Sequence, residues 1–375
     1  MRGECKTPGG KLIAVEYQLQ NERMHQIRIS GDFFVHPDAQ SREVLHRLAS
    51  AIYDRHNDLT LQQWHHVLES ALPWNVELLG TSTRALAVAL CRARGDTVEI
   101  EQFSQHEEQF NSLEVAEKLT VWPSQSWHLI PEIALPPAMN VALDEVLCQQ
   151  VASGKRPATL RFWRWTEQAV ILGRCQSVLN EVDVEVAREK DIQLVRRMTG
   201  GGAMFLQPHG AITYSLYLPE ALLKGMSVRQ SYQICEAWVI EGLRKLGVDA
   251  YHAPLNDIAC SMGKIGGAAQ ARRNSVVLHH TTMAYEMDPG EMVRVLRIGR
   301  EKLSDKPAIA SAAKRVSPLA RQTGLPREAI VSSLFEHFRN QFGGTVSSLW
   351  PDEMQVAHEL VMKKYGNDVW TYEIA

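Results

Sequence analysis

Alternation of apolar and polar residues near the amino terminus predicts a β-hairpin. On the first strand, over residues 11–20, every second residue is apolar: Ile13, Val15, Tyr17 and Leu19. Successive side chains of a strand point to opposite faces, so these residues form one half-buried face. Asn21 and Glu22 predict a turn, and Ile27 and Ile29 continue the alternation on the returning strand.

Two amphipathic helices are predicted after the hairpin. The first follows Pro37, and its apolar stripe consists of Val44, Leu45, Leu48 and Ile52. Before the second, Thr60 and Gln63 fit a capping box, in which each side chain accepts a hydrogen bond from the backbone N–H of the other residue. Such stripes are typical of core packing rather than of a cofactor site.

Strand and helix patterns alternate over the rest of the chain. Strands are predicted near 127–130, 159–165, 168–172, 193–197, 211–218, 248–252, 256–261, 264–271 and 274–287. We expect the strands at 159–165 and 168–172 to pair with each other. Helices are predicted over 138–152 and 227–246. The fold class is therefore α/β, of the α+β type.

A polar stretch that carries Pro123 and Ser124 separates the two patterns. We expect a small domain over 1–112, a linker over 113–126 and a larger domain over 127–375, because 375 residues usually form two or three domains. The chain is 45% hydrophobic and 22% charged, a balance typical of globular proteins. Its net charge of −3 creates no global field for nucleic acid or an anionic membrane, so neither is expected as a partner.

The amino terminus is polar, and no apolar run approaches the roughly 20 residues of a membrane span. The six cysteines are scattered and form neither a C-x-x-C pair nor a zinc spacing. This pattern predicts reduced thiols in a cytoplasmic protein.

The most informative stretch for function is Arg196-Arg197-Met198-Thr199-Gly200-Gly201-Gly202, which leads into Ala203, Met204 and Phe205. Glycine allows a ligand to approach the backbone closely, and backbone N–H groups in such a turn can face an anion. An arginine can hold a phosphate or carboxylate with two hydrogen bonds. The same residues also fit a plain glycine-rich hairpin beside surface arginines.

A second stretch follows about sixty residues later, from Asn256 to Gln270. Met262 and Gly263 predict a tight turn, after which Lys264 enters a strand that opens with Gly266 and Gly267. A lysine can lie between two anionic groups, and the small residues Gly267 and Ala268 leave room for a ligand. Asp257 could hold Mg²⁺ or orient the lysine. Alone, Lys264 also fits an exposed hairpin lysine.

Together the two stretches resemble the lipoate–protein ligase family, within the larger fold family of biotin ligases and octanoyltransferases. The resemblance runs from about Trp127 to the carboxyl terminus, and other matching segments are 140–145, 160–163, 172–176 and 277–281. It implies a catalytic domain built on a mixed β-sheet, the biotin/lipoate ligase fold. It departs from the family at Leu206, where relatives often carry a histidine; His209 comes three residues later.

The resemblance also implies a reaction. Lipoate or octanoate would be joined to AMP with release of pyrophosphate, and the acyl group would pass to a lysine of a lipoyl-domain protein. ATP and Mg²⁺ would be the cofactors. Lys264 would bridge the carboxylate and the α-phosphate, Arg197 would neutralise phosphate, and Asp257 would be a partner of the metal. Residues that would line the nucleotide and acyl chain are Gly200, Gly201, Gly202, Ala203, Met204, Phe205, Gly267 and Ala268.

The acceptor is left open among three kinds of lipoyl-domain protein. They are the acyltransferase component of a 2-oxoacid dehydrogenase, the glycine-cleavage H-protein and a dedicated lipoate-binding protein. The amino-terminal segment, from Lys6-Thr-Pro-Gly-Gly-Lys11 to Ser30-Gly-Asp-Phe-Phe34, separately resembles the small accessory domain of lipoate ligases, which usually follows the catalytic domain. This resemblance implies a part in activation or closure, or a purely structural role.

Three alternatives compete with the ligase. An octanoyltransferase would use a cysteine thioester without ATP, and Cys260, four residues before Lys264, is the candidate nucleophile. The positions where transferases carry their cysteine hold Asp249 and Asn274-Ser275 instead. A biotin ligase would carry Gly-Arg-Gly-Arg in place of the glycine stretch. A non-catalytic binding protein would not need both Lys264 and Arg197.

Overall fold

The computed structural model describes residues 1–7, 10–98, 110–297 and 316–374. Pro8 and Gly9 of the amino-terminal motif lie outside the described residues.

The amino-terminal unit packs helices against a hairpin-based sheet. Its elements are β1 (Arg2–Lys6), β2 (Leu12–Gln20), β3 (Arg23–Gly31), β4 (Phe34–His36), α1 (Ser41–Ile52), α2 (Leu61–Ala71), β5 (Glu77–Leu79) and α3 (Thr83–Ala93), with a 3₁₀ turn at Asp38–Gln40. The expected hairpin is confirmed as β2 and β3, which pair antiparallel, and the expected capping box joins Thr60 to Gln63. The order β1-β2-β3 buries the alternating face against α3.

The larger unit contains a mixed sheet and its covering helices. Its elements are α4 (Ser112–Leu119), β6 (Trp127–Leu135), α5 (Pro137–Ala152), β7 (Ala158–Trp165), β8 (Ala169–Leu172), α6 (Val178–Glu181), α7 (Val184–Glu189), β9 (Gln193–Arg196), β10 (Met204–Leu206), β11 (Ala211–Pro219), α8 (Val228–Lys245), β12 (Tyr251–Ala253), β13 (Asp257–Cys260), β14 (Gly263–Arg273), β15 (Val276–Ala284), α9 (Pro289–Val295), α10 (Leu319–Thr323), α11 (Arg327–Phe342), β16 (Thr345–Val346), α12 (Pro351–Leu360) and α13 (Asp368–Thr371). A 3₁₀ turn spans Glu220–Leu223 and a π turn spans Val361–Tyr365.

Within the described residues, eight strands form the main sheet in the order β12-β13-β14-β15-β11-β7-β6-β16. The contacts of β6 with β7 and β16 are parallel and the others are antiparallel, so the expected mixed sheet is confirmed. Helices α8 and α11 cover one face of this sheet. Their aromatic residues Trp238 and Phe338 stack edge to face with ring centroids 5.0 Å apart, and Phe338 also packs on Trp127.

A separate sheet of β10-β8-β9 carries the glycine stretch at its end. The expected pairing of 159–165 with 168–172 is therefore wrong. β7 pairs with β6 and β11, whereas β8 pairs with β9 and β10. The sequences of short strands with similar β-propensity do not indicate which strands will pair, because pairing depends on contacts between residues distant in sequence.

The division of the chain at 112 stays a prediction. The stretch expected to be a linker, 113–126, contains most of α4 and also Trp122, which is fully buried beside Trp127 in the core of the larger unit. Gln233 on α8 exchanges two hydrogen bonds with the backbone of Phe110. The polar composition of the stretch reflects the solvent-facing side of a short helix.

Candidate active site

A cleft of about 460 Å³ opens between the two units. Its walls combine the glycine stretch, strands β13 to β15 and the first residues of the chain. Of the residues proposed from the sequence, Arg197, Gly201, Gly202, Ala203, Met204, Phe205, Asp257, Lys264, Gly267 and Ala268 line it. The structure therefore brings together two stretches that lie about sixty residues apart in the sequence.

Lys264 and Asp257 form an ion pair at this cleft. The two residues lie on neighbouring strands of the β13–β14 hairpin, and Lys264 Nζ donates a 2.7 Å hydrogen bond to Asp257 Oδ1. The lysine side chain is 33% exposed, whereas the aspartate is buried. The ammonium also lies over Gly267, where a methyl carbon placed on the glycine would be 2.9 Å from Nζ. Asp257 and Gly267 together fix the position of the ammonium in the cleft.

A β-bulge decides which side chains of this hairpin reach the cleft. Ile258 is opposite Gly266 and Ala259 is opposite Lys264, so Ile265 is an extra residue in β14. Lys264 consequently lies on the same side of the hairpin as Gly267, although the two are three positions apart. Ile265 joins the hydrophobic core.

Cys260 does not face the cleft in this arrangement. Its side chain is buried in the core cluster that contains Ile258 and Trp238, and its thiol donates to the carbonyl of Gly263 at 3.5 Å. All six cysteines of the chain lie within the described residues, where all are buried and none is among the residues that line the cleft.

Arg197 organises the glycine loop, the turn from Thr199 to Gly202. Its guanidinium donates to the carbonyls of Ile171, Gly200 and Gly202 at 3.0, 2.6 and 2.9 Å. Burial lowers the pKa of Arg197 to about 10, so it remains charged at neutral pH. The expected neutralisation of phosphate stays a prediction, because most of its donors are bound to the loop's own backbone.

Arg196 has a comparable structural role away from the cleft. It is fully buried, and its guanidinium donates to the carbonyls of Gly173, Gln176 and Thr371 at 2.9, 2.7 and 2.7 Å. It therefore ties the carboxyl-terminal segment to β9. Arg196 is not among the residues that line the cleft.

A chain of hydrogen bonds, which no local pattern in the sequence indicates, runs beneath the glycine loop. Arg197 Nε donates to Thr199 Oγ1 at 2.9 Å, Thr199 Oγ1 lies 2.8 Å from His280 Nε2, and His280 Nδ1 lies 2.8 Å from Asp144 Oδ2. Arg197 can only donate, so Thr199 Oγ1 is the acceptor of that hydrogen bond, and the Asp144 carboxylate accepts from His280 Nδ1. Tyr217 also donates to Asp144. The network ties α5 and β15 to the loop.

The amino-terminal unit supplies side chains that sequence reasoning missed as site residues. Lys6, Lys11 and Asp32 line the cleft. Phe34 packs against Gly200, whose added methyl carbon would be 2.7 Å from its ring. Gly200 is thus buried under the amino-terminal unit rather than exposed to a ligand. The resemblance of this unit to an accessory domain was the only indication that it could contribute to the site. Contacts between residues more than 150 positions apart cannot be read from local patterns in one sequence.

Two further sequence expectations concern the metal and the histidine. Within the described residues no three His, Cys, Asp or Glu side chains gather as a metal site. Mg²⁺ bound mainly by phosphate oxygens needs only one or two protein carboxylates, a requirement that Asp257 fits. Leu206 is buried at the cleft, whereas His209 is exposed near Arg164 and does not replace the missing histidine.

Comparison with known proteins identifies the class. The family model described as the lipoyl protein ligase A/B catalytic domain matches residues 136–342, more than half of the chain. With this fold and cleft, the protein is an enzyme of the lipoate ligase and transferase class. The chain belongs to the lipoyl protein ligase A/B catalytic domain family.

Individual relatives carry two kinds of name. Octanoyltransferase LipM of Symbiobacterium thermophilum is 30% identical over 275 residues, which are 65% of this chain and 97% of the relative. Octanoyltransferase LipM of Brevibacillus brevis is 26% identical over 276 residues, 66% of this chain and 98% of the relative.

The similar solved structures are named as lipoate ligases. A bi-partite lipoate protein ligase from Thermoplasma acidophilum, solved in a study of that ligase and its E2 lipoyl domain, is 26% identical with a TM-score of 0.58, covering 67% of this chain and 98% of its own. Lipoate-protein ligase A bound with ATP is 25% identical with a TM-score of 0.56, covering 67% of this chain and 100% of its own.

No helix of the described residues has the length and apolar character needed to cross a membrane.

Proposed function

We propose that this enzyme attaches a lipoyl or octanoyl group to a lysine of a lipoyl-domain protein, by ATP-dependent activation of the free acid. The observation that carries the proposal is the Lys264 ammonium, which lies beside the glycine loop in the cleft and 2.7 Å from Asp257. Activation and transfer need no nucleophile from the protein. Positioning and charge neutralisation can therefore supply most of the rate.

Lys264 would act in both steps. In activation, a carboxylate oxygen of the acid attacks the α-phosphorus of ATP, the bond from that phosphorus to the β-phosphate oxygen breaks, and pyrophosphate leaves. Two anionic groups must approach each other, and an ammonium between them lowers the barrier. In transfer, the acceptor amine attacks the acyl carbon, AMP leaves with the bonding electrons, and the amine gives its extra proton to solvent. The lysine stabilises the departing phosphate.

The rest of the cleft supports this assignment. Mg²⁺ on the triphosphate would be held by Asp257 and would neutralise phosphate charge. Ala203, Met204, Phe205 and Leu206 supply apolar surface for a saturated acyl chain. The bi-partite ligase, described with its E2 lipoyl domain, supports a lipoyl domain as the acceptor. The dehydrogenase component, the H-protein and a dedicated lipoate-binding protein stay predictions.

Octanoyl transfer without ATP is the second candidate, and a specific observation favours it. The curated relatives are named octanoyltransferases, which supports this alternative better than the ATP-dependent reaction. This route needs a thiol in the cleft to carry the octanoyl group, and Cys260 lies in the core instead. The geometry of the cleft favours the ligase for that reason.

The deciding experiment supplies the full chain with a lipoyl domain under two conditions. One contains lipoate, ATP and Mg²⁺; the other contains an octanoyl-carrier protein without ATP. Mass spectrometry of the acceptor and measurement of AMP follow each reaction. The ligase predicts acylation only in the first, with AMP formed. Lys264→Ala should lose about 10²–10³-fold in both half-reactions, the usual cost of removing one preorganised donor.

Cys260→Ser separates the two candidates within the same assay. A ligase should keep its activity in this variant, whereas a Cys260 transferase should lose it. Lys224→Ala, at an exposed lysine outside the cleft, is the matched control for the charge change. Acylation without ATP that disappears in Cys260→Ser would overturn the ligase and establish the transferase.

A further inference from the structure

The first residues of the chain form part of the cleft wall. Lys6, Gly10, Lys11 and Asp32 belong to the amino-terminal unit and line the same cleft as Lys264. Two lysines and one carboxylate, that of Asp32, therefore place a small excess of positive charge on the side of the cleft that the catalytic sheet does not form. The roles assigned above to Lys264, Arg197 and Asp257 do not use this charge.

Contacts between the units fix where this wall lies. Residues 32–34 rest on the three glycines: a methyl carbon on Gly200 would lie 2.7 Å from the Phe34 ring and 2.9 Å from the Phe33 carbonyl oxygen. A methyl carbon on Gly201 would lie 3.2 Å from the same ring. Larger residues at these glycines would push the amino-terminal unit away. The glycine loop thus has one side toward the cleft and another toward the amino-terminal unit.

Lys11 is held close to this contact. Its ammonium lies 5.6 Å from the centroid of the Phe34 ring, and its stem packs over Gly80. Its backbone N–H donates to the Gly80 carbonyl at 2.6 Å, which anchors the residue to the end of β5. The side chain is half-buried, so its position is restricted more than that of the exposed Lys6. The same Phe34 ring also contacts Gly200 and Gly201, so the ammonium lies close to the glycine loop.

The charges already present in the cleft explain what Lys11 adds. Lys264 is paired with Asp257, and most of the Arg197 donors are bound to loop carbonyls. A substrate with several phosphate oxygens needs more positive charge than a single paired lysine supplies. Lys11 lies on the opposite unit, where it can contact a part of the ligand that the ammonium of Lys264 does not reach.

We propose that Lys11 binds the phosphoryl group of the ligand in this cleft, so that the amino-terminal unit forms part of the substrate site. The inference rests on the proposed function for the position of the ligand. The phosphoryl group would belong to ATP in the ligase. In the octanoyltransferase alternative it would belong to the phosphopantetheine arm of an acyl carrier. The chemistry recognised is the same, and the two sources are distinguished by experiment.

Binding measured without turnover tests the proposal. The full chain is titrated by calorimetry with ATP and Mg²⁺, and separately with octanoyl-phosphopantetheine. Lys11→Met should weaken binding of the phosphoryl ligand about tenfold, a typical effect of losing one charged hydrogen-bond donor. Lys11→Arg should restore most of the affinity. Lys224→Met, at an exposed lysine far along the sequence, should bind as the unchanged protein does.

The outcomes separate this inference from the proposed function. Weakened binding in Lys11→Met, with a normal unfolding temperature, supports the inference even if the protein transfers no acyl group. Unchanged affinity of Lys11→Met for both probes overturns it, even if acyl transfer is observed. Failure of the unchanged protein to bind either probe also overturns it. Dependence on Lys11 for only one probe identifies the source of the phosphoryl group.

Discussion

At the scale of single residues, the site depends on how one ammonium is held. Lys264 is bonded to the buried Asp257 and lies directly over the Cα of Gly267. The aspartate orients the lysine, while the glycine leaves the space in which the ammonium lies. Gly267 therefore controls the position of the Lys264 ammonium because it has no side chain.

Gly267→Ala should separate activity from stability. The new methyl carbon would lie 2.9 Å from Lys264 Nζ, which would have to move. A displacement of about 1 Å can reduce catalysis about 10²-fold. Glycine in a strand is entropically unfavourable, so alanine should not lower the unfolding temperature. Adenylate formation and thermal unfolding, measured on the same preparation, check both parts.

The Lys264→Ala background provides the control for this change. If the alanine acts by moving the ammonium, Gly267→Ala should cost little further activity once the lysine is absent, because effects at contacting residues are not additive. Full additivity of the two losses would contradict the explanation.

At the scale of elements, the glycine loop is shaped by residues outside it. Arg197 binds its carbonyls, Phe34 covers one side, and the Thr199–His280–Asp144 chain anchors its start. Burial lowers the pKa of the neighbouring His279 well below its usual range, so the His279 imidazole is neutral. A loop rich in glycine is thus held in one conformation by buried polar contacts.

Thr199→Val should weaken the loop while preserving its volume. Valine removes the hydroxyl that accepts from Arg197 and contacts His280 Nε2, and each unpaired buried group costs about 1–3 kcal/mol. We expect a lower free energy of unfolding and a higher KM for the phosphoryl substrate. Denaturant titration and steady-state kinetics measure the two effects.

Thr199→Ser retains the hydroxyl and is the matched control. It should lie much closer to the unchanged protein in both measurements. Equal losses in the valine and serine variants would mean that the methyl group, rather than the hydrogen-bond chain, is what the loop requires.

The elements themselves were largely predictable from the sequence, but their partners were not. Alternation identified β2 and β3, and capping residues identified α2. The proposed site residues also proved to be neighbours, because a tight turn brings Lys264 close to Asp257. The incorrect pairing of β7 with β8, and the overlooked Lys11, have one cause. Both depend on contacts between distant parts of the chain, for which local patterns carry no information.

At the scale of the whole molecule, several polar contacts join the two units. The backbone N–H of Gly31 donates to the carbonyl of Cys175 at 3.0 Å, and the buried Asp38 accepts from the backbone of Arg272 and the side chain of Arg273. Glu181, at the end of α6, lies near Asp32 of the other unit. Burial, and then the negative charge of Asp32, raise the pKa of Glu181 to about 7.

This raised pKa predicts how stability depends on pH. Unfolded glutamate has a pKa of about 4.3, so the folded protein holds the proton of Glu181 more tightly than the unfolded chain does. Between that value and about 7, raising the pH removes stability. The unfolding temperature should fall over this range, and Glu181→Gln should reduce the fall. Calorimetric scans at several pH values measure it.

Glu185→Gln changes an exposed glutamate in the next helix and is the control for lost charge. It should show the same dependence on pH as the unchanged protein. If Glu181→Gln also retained the full fall, the carboxyl group would not be the source of the effect.

The bulge at Ile265 gives Lys264 a structural role in addition to its proposed catalytic role. Without the bulge, regular alternation along β14 would place the Lys264 ammonium in the hydrophobic core and expose Ile265 to water. Burying an unpaired charge has a large free-energy cost, so this register is strongly disfavoured. The charge to which we assign the chemistry therefore also helps to hold the hairpin in its register. A large apolar side chain at position 264 would remove that constraint, because it could be buried in either register, and such a variant would therefore test the strand register as well as the proposed chemistry.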